Sequence, residues 1–347
     1  MKAIIIGASG QIGYAFYRLL HKAGWEVVLL SRRELPYTVD RQLTQKLSFD
    51  RYDKSEFRKM MSSGADLVID LVAFSDREAF QLLETQADYS HLIVLSSSSV
   101  YKDAHGRTLD EAATCGFPEF DTPILETNAT VHAGNETYST RKIALEEELL
   151  SRSTNPLTVL RPCAIYGTHS QHPREWWFVK RMIDQRPIIP LAYYGESMFH
   201  STSARSIAEV GFAAAALKGQ QVINVGDKDP LSVLEIAKVI ATYLGYEGRL
   251  LPIAKEEGDF KYVGMTPWST PRPFLLNTEQ ATGVLAASGQ TLTNYESSVQ
   301  CYFGHLEKTG AERPWQELYP QLAVYPYPQF DYKAEDKYLA SLTKYYS

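Results

Sequence analysis

The first thirteen residues constrain this chain more than any others. A short apolar run, Ala3-Ile4-Ile5-Ile6, breaks directly into Gly7-Ala8-Ser9-Gly10-Gln11-Ile12-Gly13. Apolar residues at helical spacing follow: Ile12, Phe16, Leu19, Leu20 and Ala23. A strand that ends in spaced glycines and opens a helix can hold a dinucleotide pyrophosphate. Gly7 permits the tight turn and Gly10 lets backbone N–H groups approach phosphate. Gly13 lets helix and strand pack closely, and the helix N-terminus faces the negative charge. Ser9, Gln11 and Ile12 complete the candidate loop. With 21 glycines in 347 residues, a GxxGxxG is expected by chance roughly a tenth of a time per chain. Its place between strand and helix is what gives it meaning.

Size and charge narrow the partners. The chain is long enough for one large or two modest domains. Apolar (44%) and charged (22%) fractions are those of an ordinary globular protein. Net charge is −6, with no basic run of the kind that tracks a nucleic-acid backbone, so a nucleic-acid partner is not expected. No stretch reaches the length of a membrane span. The N-terminal apolar run is too short for a signal peptide, so a cytoplasmic location is expected. Cys115, Cys163 and Cys301 are scattered and lack metal spacing, so neither a disulfide nor a metal site is expected.

Strand-like and helix-like segments alternate through the first half. Apolar runs at 25–30, 47–49, 66–72, 91–95 and 157–160 follow the opening strand. Helical patterns such as 77–85 and 143–150 lie between them. This predicts an α/β protein with a Rossmann-type doubly wound parallel sheet. A dinucleotide-binding domain is expected over 1–167, with a return segment at 200–228 containing the strand 221–225. Residues 168–199 and 229–347 would form a smaller substrate-binding domain and tail. The tail is rich in tyrosine (Tyr325, Tyr327, Tyr332, Tyr338, Tyr345, Tyr346), which suits packing on its own domain ahead of a dimer contact or a lid.

Chemistry concentrates in Tyr138-Ser139-Thr140-Arg141-Lys142. Residues four apart share a helical face, so the Tyr138 hydroxyl and Lys142 ammonium can enter one cleft. A free tyrosine, with a pKa of about 10, is a poor base at neutral pH. A nearby cation favours its phenolate and lowers that value. About one Tyr-x-x-x-Lys is expected by chance in such a chain, so order matters more than the motif. Ser96-Ser97-Ser98-Ser99-Val100-Tyr101 follows the fifth strand directly, and so lies at the same sheet edge as the glycine loop.

These residues together resemble the extended branch of the short-chain dehydrogenase/reductase superfamily, its epimerase/dehydratase group of nucleotide-sugar enzymes. The likeness rests on Gly7/Gly10/Gly13, Ser96 to Tyr101, Tyr138/Lys142, Arg161-Pro162-x-x-x-Tyr166-Gly167 and Asn224-Val225-Gly226, and covers about residues 1–285. It implies Tyr138 as acid/base, Lys142 holding the cofactor ribose and tuning Tyr138, and Ser97 bonding the substrate oxygen. It places Asp50 beside the adenine and Leu71, Val72 and Ala73 beneath the cofactor. A homodimer is implied by analogy alone.

The end of the second strand reads Ser31-Arg32-Arg33, with no carboxylate until Glu34. A hydroxyl and two guanidiniums suit a 2′-phosphate, so NADP(H) is expected ahead of NAD(H); the alternative is a solvated turn. Ser98 and Ser99 stand where dehydratases of the group carry an acid and a base, which argues against water elimination. Where the resembling family often carries a diphosphate-touching Asn this chain has Ala164, and where it usually carries an Asp it has Arg205, and each departure weakens the implied nucleotide-sugar specificity. Substrate candidates are Ser98, Trp176, Arg181 and Arg272, although a helix packing its Trp side inward explains Trp176 and Arg181 equally well. The expected function is an NAD(P)-dependent oxidoreductase or epimerase acting on a hydroxyl or carbonyl carbon of a small molecule, with a nucleotide-sugar as the candidate substrate and Tyr138 as general acid/base. Two alternatives stand beside it: an NADPH-dependent carbonyl reductase on a non-nucleotide substrate, and a non-catalytic nucleotide-sensing or RNA-binding member of the same superfamily.

Overall fold

Near-continuous apolar strands need cover on both faces, and the chain supplies it with helices on either side of one parallel sheet. The computed structural model describes residues 1–310 and 314–343; Tyr345 and Tyr346 of the tyrosine-rich tail lie outside them. The strands are β1 (Lys2–Ile6), β2 (Glu26–Ser31), β3 (Thr44–Ser48), β4 (Ala65–Asp70), β5 (Tyr89–Leu95), β6 (Leu157–Pro162) and β7 (Gln220–Val225). They pair in the order β7-β6-β5-β4-β1-β2-β3, every pair parallel. The order reverses between β1 and β4, the switch point where such sheets bind ligands beyond their carboxyl ends.

Alternation along each strand divides the core in two. Ala3, Ile5, Val27, Leu29, Leu67 and Ile69 face α1 (Gln11–Lys22) and a helix at Ala204–Ala214. Ile4, Ile6, Val28, Leu30, Val68 and Val94 face α2 (Lys54–Met61), α3 (Asp76–Glu84) and α4 (Tyr138–Arg152). α2 escapes a hydropathy reading because its apolar stripe is only Phe57 and Met61, one turn apart. Its start is set by Asp53, which accepts the Glu56 N–H at 2.9 Å.

The chain divides into two compact units. The first holds the sheet and comprises Met1–His169, Thr202–Lys228 and Leu276–Thr293. The last segment returns too: Ala281, Leu285 and Leu292 enter the α1 side of the core. The second unit is built from Ser170–Ser201, Asp229–Leu275 and the described part of Asn294–Ser347. It carries helices at Trp176–Ile183 and Val233–Leu244 and a parallel pair of short strands, Ile188–Leu191 with Arg249–Pro252. Ser232 caps Val233–Leu244 reciprocally with Glu235, and Gly245 ends it at φ 62°. Among the described residues no helix is long and apolar enough to cross a membrane.

Candidate functional site

The glycine loop turns off β1 at the carboxyl edge of the sheet. The N–H groups of Gly7 and Ala8 both donate to the Leu30 carbonyl, at 3.0 and 3.2 Å. Gly7 has φ +92°, and a Cβ there would stand 2.7 Å from Val72 Cγ1. A Cβ on Gly13 would meet the Ala8 backbone at 2.7 Å. Gly10 differs: its Cβ would meet no protein atom closer than the Gly7 carbonyl, at 4.0 Å. Gly10 also caps α1 without a side-chain hydrogen bond, and the first turn carries no acidic residue. Beside it the Gln11 Oε1 is buried without a hydrogen-bond partner. The N-terminus of α1, a helix dipole with no acidic residue to offset it and open space at Gly10 fit a dinucleotide pyrophosphate. Ser9 is half-buried, whereas the Ile12 side chain joins the core and leaves only its backbone to the loop. Leu71 donates its N–H to the Ile6 carbonyl at 3.0 Å, which sets Leu71, Val72 and Ala73 beside the loop.

At the end of β2, Ser31 is buried and its hydroxyl accepts the Arg33 N–H at 3.2 Å. Arg32 and Arg33 are exposed. Glu34, the first carboxylate beyond β2, is paired with Lys46. Asp50 is exposed and accepts the Tyr52 N–H at 3.0 Å.

Thr137 and Thr140 cap α4 reciprocally, at 3.2 and 2.9 Å, so Tyr138 is the first residue of the helix. Tyr138 is 37% exposed. Its phenol stands close enough to Ser97 to feel that hydroxyl, and the Ser97 Oγ accepts the Ser99 N–H at 3.1 Å. One turn on, Lys142 is 1% exposed and donates to the carbonyls of Ala73 and Leu95, each at 2.7 Å. Its Nζ lies 4.6 Å from the Phe74 ring centre and 5.7 Å from that of Tyr138. Ser98 is buried in the same turn. The structure therefore brings Ser97, Ser98, Tyr138, Lys142 and Ala73 together at one sheet edge.

The electrostatics differ from the expectation of a phenol lowered by its lysine. Tyr138 is pushed up to about 12 by burial; the nearby Ser97 hydroxyl opposes this and the Asp110 carboxylate adds to it. Burial brings the Lys142 ammonium down to about 8, against the pull of Asp70, Glu146 and Glu78. The reason is geometric: Lys142 directs its N–H groups at two carbonyls, and Asp110 sits at the N-terminus of α4, accepting the Ser139 N–H at 2.8 Å.

Two buried clusters behind the site escape the sequence reading. Glu146, one turn beyond Lys142, accepts from Arg161 at 3.1 and 2.5 Å and from Ser96. Arg161 donates to the Tyr101 hydroxyl at 3.0 Å, and Tyr101 donates to Asn224 Oδ1 at 2.7 Å. The motif residues Ser96, Tyr101, Arg161 and Asn224 thus join β5, β6 and β7 through one carboxylate. Asp70, at the end of β4, accepts both bonds from Arg51, at 2.8 and 3.0 Å. The signal for Glu146 was present: it continues the Tyr138/Lys142 face by one turn.

The remaining candidates belong to the second unit. Trp176 is buried. Arg181 is 2% exposed, stacks 3.5 Å over Trp177 and donates to Glu335 and to the carbonyls of Trp177 and Gln329. A guanidinium so enclosed needs these partners to be stable, and the inward-packing alternative describes both residues. Arg272 is exposed, two residues before the buried Phe274.

Known proteins share this fold. A family model described as the NAD dependent epimerase/dehydratase family matches residues 3–226. Solved structures with the same fold include a UDP-glucose 4-epimerase of Thermotoga maritima with UDP-glucose. It has a TM-score of 0.66 and 17% identity, covering 89% of this chain and 99% of that one. A UDP-glucuronic acid 4-epimerase of Bacillus cereus, in complex with UDP-glucuronic acid and NAD, has the same score and identity over 89% and 100%. A curated relative is the chloroplast stem-loop binding protein of 41 kDa b of Arabidopsis thaliana. It is 25% identical over 299 residues, 82% of this chain and 74% of the relative.

Proposed function

Because this chain belongs to the NAD-dependent epimerase/dehydratase family, we propose that it is an epimerase or reductase. It would act at a hydroxyl or carbonyl carbon of a small substrate of the nucleotide-sugar kind. The observation that carries this reading is that Tyr138 stands one helical turn from buried Lys142, its ring centre 5.7 Å from the Lys142 Nζ, at the strand-end Ser97 and the glycine-loop edge of the sheet. The residues that would hold the dinucleotide are the loop from Gly7 to Gly13, Ser31, Arg32, Arg33, Asp50, Leu71 to Ala73, and Lys142. A bound nicotinamide supplies hydride chemistry. Arg32 and Arg33 support NADP(H) ahead of NAD(H), since guanidiniums bind phosphate through charge-assisted bonds.

Tyr138 holds its proton at neutral pH, because its phenol stands near 12. It can donate that proton to a substrate oxygen, with Ser97 fixing the oxygen's position, and recover it in the reverse direction. The Lys142 charge stabilises the phenolate left behind. Tyr138→Phe is expected to lower turnover by about 10²- to 10⁴-fold while NAD(P)H binding stays near wild type; full turnover in that variant would sink the mechanism. Mass spectrometry of gently purified protein separates the two chemistries. Retained NAD⁺ supports an epimerase, and empty protein that binds NADPH supports a reductase.

The stem-loop binding relative favours a second reading, an RNA-binding member of the family. The net charge of −6 and the intact Tyr138/Lys142 pair count against it. Tight, salt-dependent binding of a stem-loop RNA, with no turnover of any nucleotide sugar, would favour it.

A further inference from the structure

Between Arg33 and Gln42 the chain forms an irregular strap that bends at Pro36 and Tyr37. Leu35, Tyr37 and Val39 turn partly buried side chains onto the α1 side of the core, and Glu34, Pro36, Thr38 and Asp40 alternate outward. The strap is tied at both ends. Ser31 Oγ accepts the Arg33 N–H at 3.2 Å, and the Asp40 N–H donates to the Tyr17 hydroxyl at 3.0 Å. The Asp40 carboxylate stands 3.4 Å from His21 Nε2. In the middle, the Tyr37 hydroxyl donates to the Ala8 carbonyl at 2.7 Å, inside the glycine loop.

The Tyr37 ring is boxed in. It lies 4.7 Å from Tyr14, 5.6 Å from Tyr17 in a stacked pair at 17°, and 5.6 Å from His169. Tyr14, Tyr17 and His21 recur on one face of α1 at spacings of three and four, so the helix that opens at the glycine loop also grips the strap. Burial keeps the Tyr37 phenol far above its ordinary value, and the hydroxyl remains a donor across the working pH range.

We propose that Tyr37 is a specificity-positioning residue: the sheet already ties Leu30 and Ser31 to the glycine loop, and by bonding Ala8 Tyr37 holds the chain just beyond Arg32 and Arg33 against that loop, and so selects a 2′-phosphorylated dinucleotide. This rests on the NADP(H) reading above. The pyrophosphate and the 2′-phosphate are joined by one adenosine, so both ends must be met at once. A strap free to shift keeps the loop contacts and loses the short, directional guanidinium–phosphate bonds. An unphosphorylated dinucleotide makes no such demand on it.

The test is fluorescence titration of the wild-type chain, Tyr37→Phe and the double variant Arg32→Ser/Arg33→Ser with NADPH and with NADH, alongside thermal melts. Tyr37→Phe keeps the boxed ring and loses only the hydroxyl. The Kd for NADPH is expected to rise about tenfold, the scale of one charge-assisted hydrogen bond, with NADH changed less than about threefold. The double variant is expected to remove the preference altogether. If the wild type prefers NADPH and Tyr37→Phe weakens both cofactors alike, or neither, the assignment to Tyr37 is overturned and the cofactor reading survives. If the wild type binds NADH as tightly as NADPH, the cofactor reading falls, and the assignment falls with it. A lowered melting temperature with an unchanged ratio of the two Kd values marks Tyr37 as a fold brace only, and also overturns the proposal.

Discussion

Gly10 and Gly13 look alike in the sequence and stand under opposite constraints. A Cβ at Gly13 would press on the Ala8 backbone at 2.7 Å, whereas one at Gly10 would meet nothing within 3.9 Å. Gly13→Ala is therefore expected to cost about 1–3 kcal/mol in chemical denaturation, as overpacking does. Gly10→Ala is expected to change stability by less than about 1 kcal/mol and to weaken dinucleotide binding at least tenfold, as read by titration. Equal stability losses in the two variants would refute this division of labour. The acid/base pair gives a second expectation. With its folded value lowered to about 8, Lys142 is charged below that pH and neutral above it. Turnover that relies on its charge should fall above about pH 8, whereas a Tyr138 acting alone would show no such fall until about 12. A pH–rate profile flat through pH 8 to 10 would remove Lys142 from proton transfer.

The element that matters most is α4, because its first turn carries the chemistry and its capping residue immediately precedes Tyr138. Thr137→Ala removes a side-chain cap worth about 1 kcal/mol and loosens the turn that aims the phenol. The expected result is a modest drop in melting temperature with kcat lowered more than cofactor affinity. Glu146 lies further along α4, where Arg161→Met would leave its carboxylate buried without a counter-ion, a loss of about 3–5 kcal/mol measurable in urea. α4 also shows what a sequence discloses and what it conceals. Tyr138, Lys142 and the strand-end serines were legible because spacing along one helix and one strand brings them to one edge. The phenol's raised value was not, because it depends first on how the fold buries the ring and then on Asp110, 28 positions earlier. α2 was missed because two buried side chains make too thin a stripe to register. Arg181 and Trp176 have the composition of a binding face, and only the position of Glu335, 154 residues later, shows the cation to be enclosed.

At the scale of the whole molecule, the parallel sheet was legible from its apolar runs, and the return of 276–293 was not, since no strand signal marks it. The second unit holds its own titrating group. Glu175 is fully buried, accepts from the Tyr295 and Tyr302 hydroxyls at 3.2 and 3.1 Å, and is pushed by burial from 4.5 to about 7. A raised carboxyl binds its proton more tightly in the folded state. Its contribution is complete below pH 4.5 and is lost as pH rises through 7, a swing of order 3 kcal/mol. Glu175→Gln should flatten the stability profile across that window; an unchanged slope in urea titrations at pH 5 and 7.5 would show that the swing arises elsewhere. The placing of β7 has a consequence for biosynthesis. β6 ends at Pro162 and its outer neighbour is complete only at Val225. At the usual pace of translation, about 5–20 residues per second, the outer edge of β6 waits on the order of 3–13 s for its partner. During that interval a nascent chain offers an open row of backbone donors and acceptors along β6.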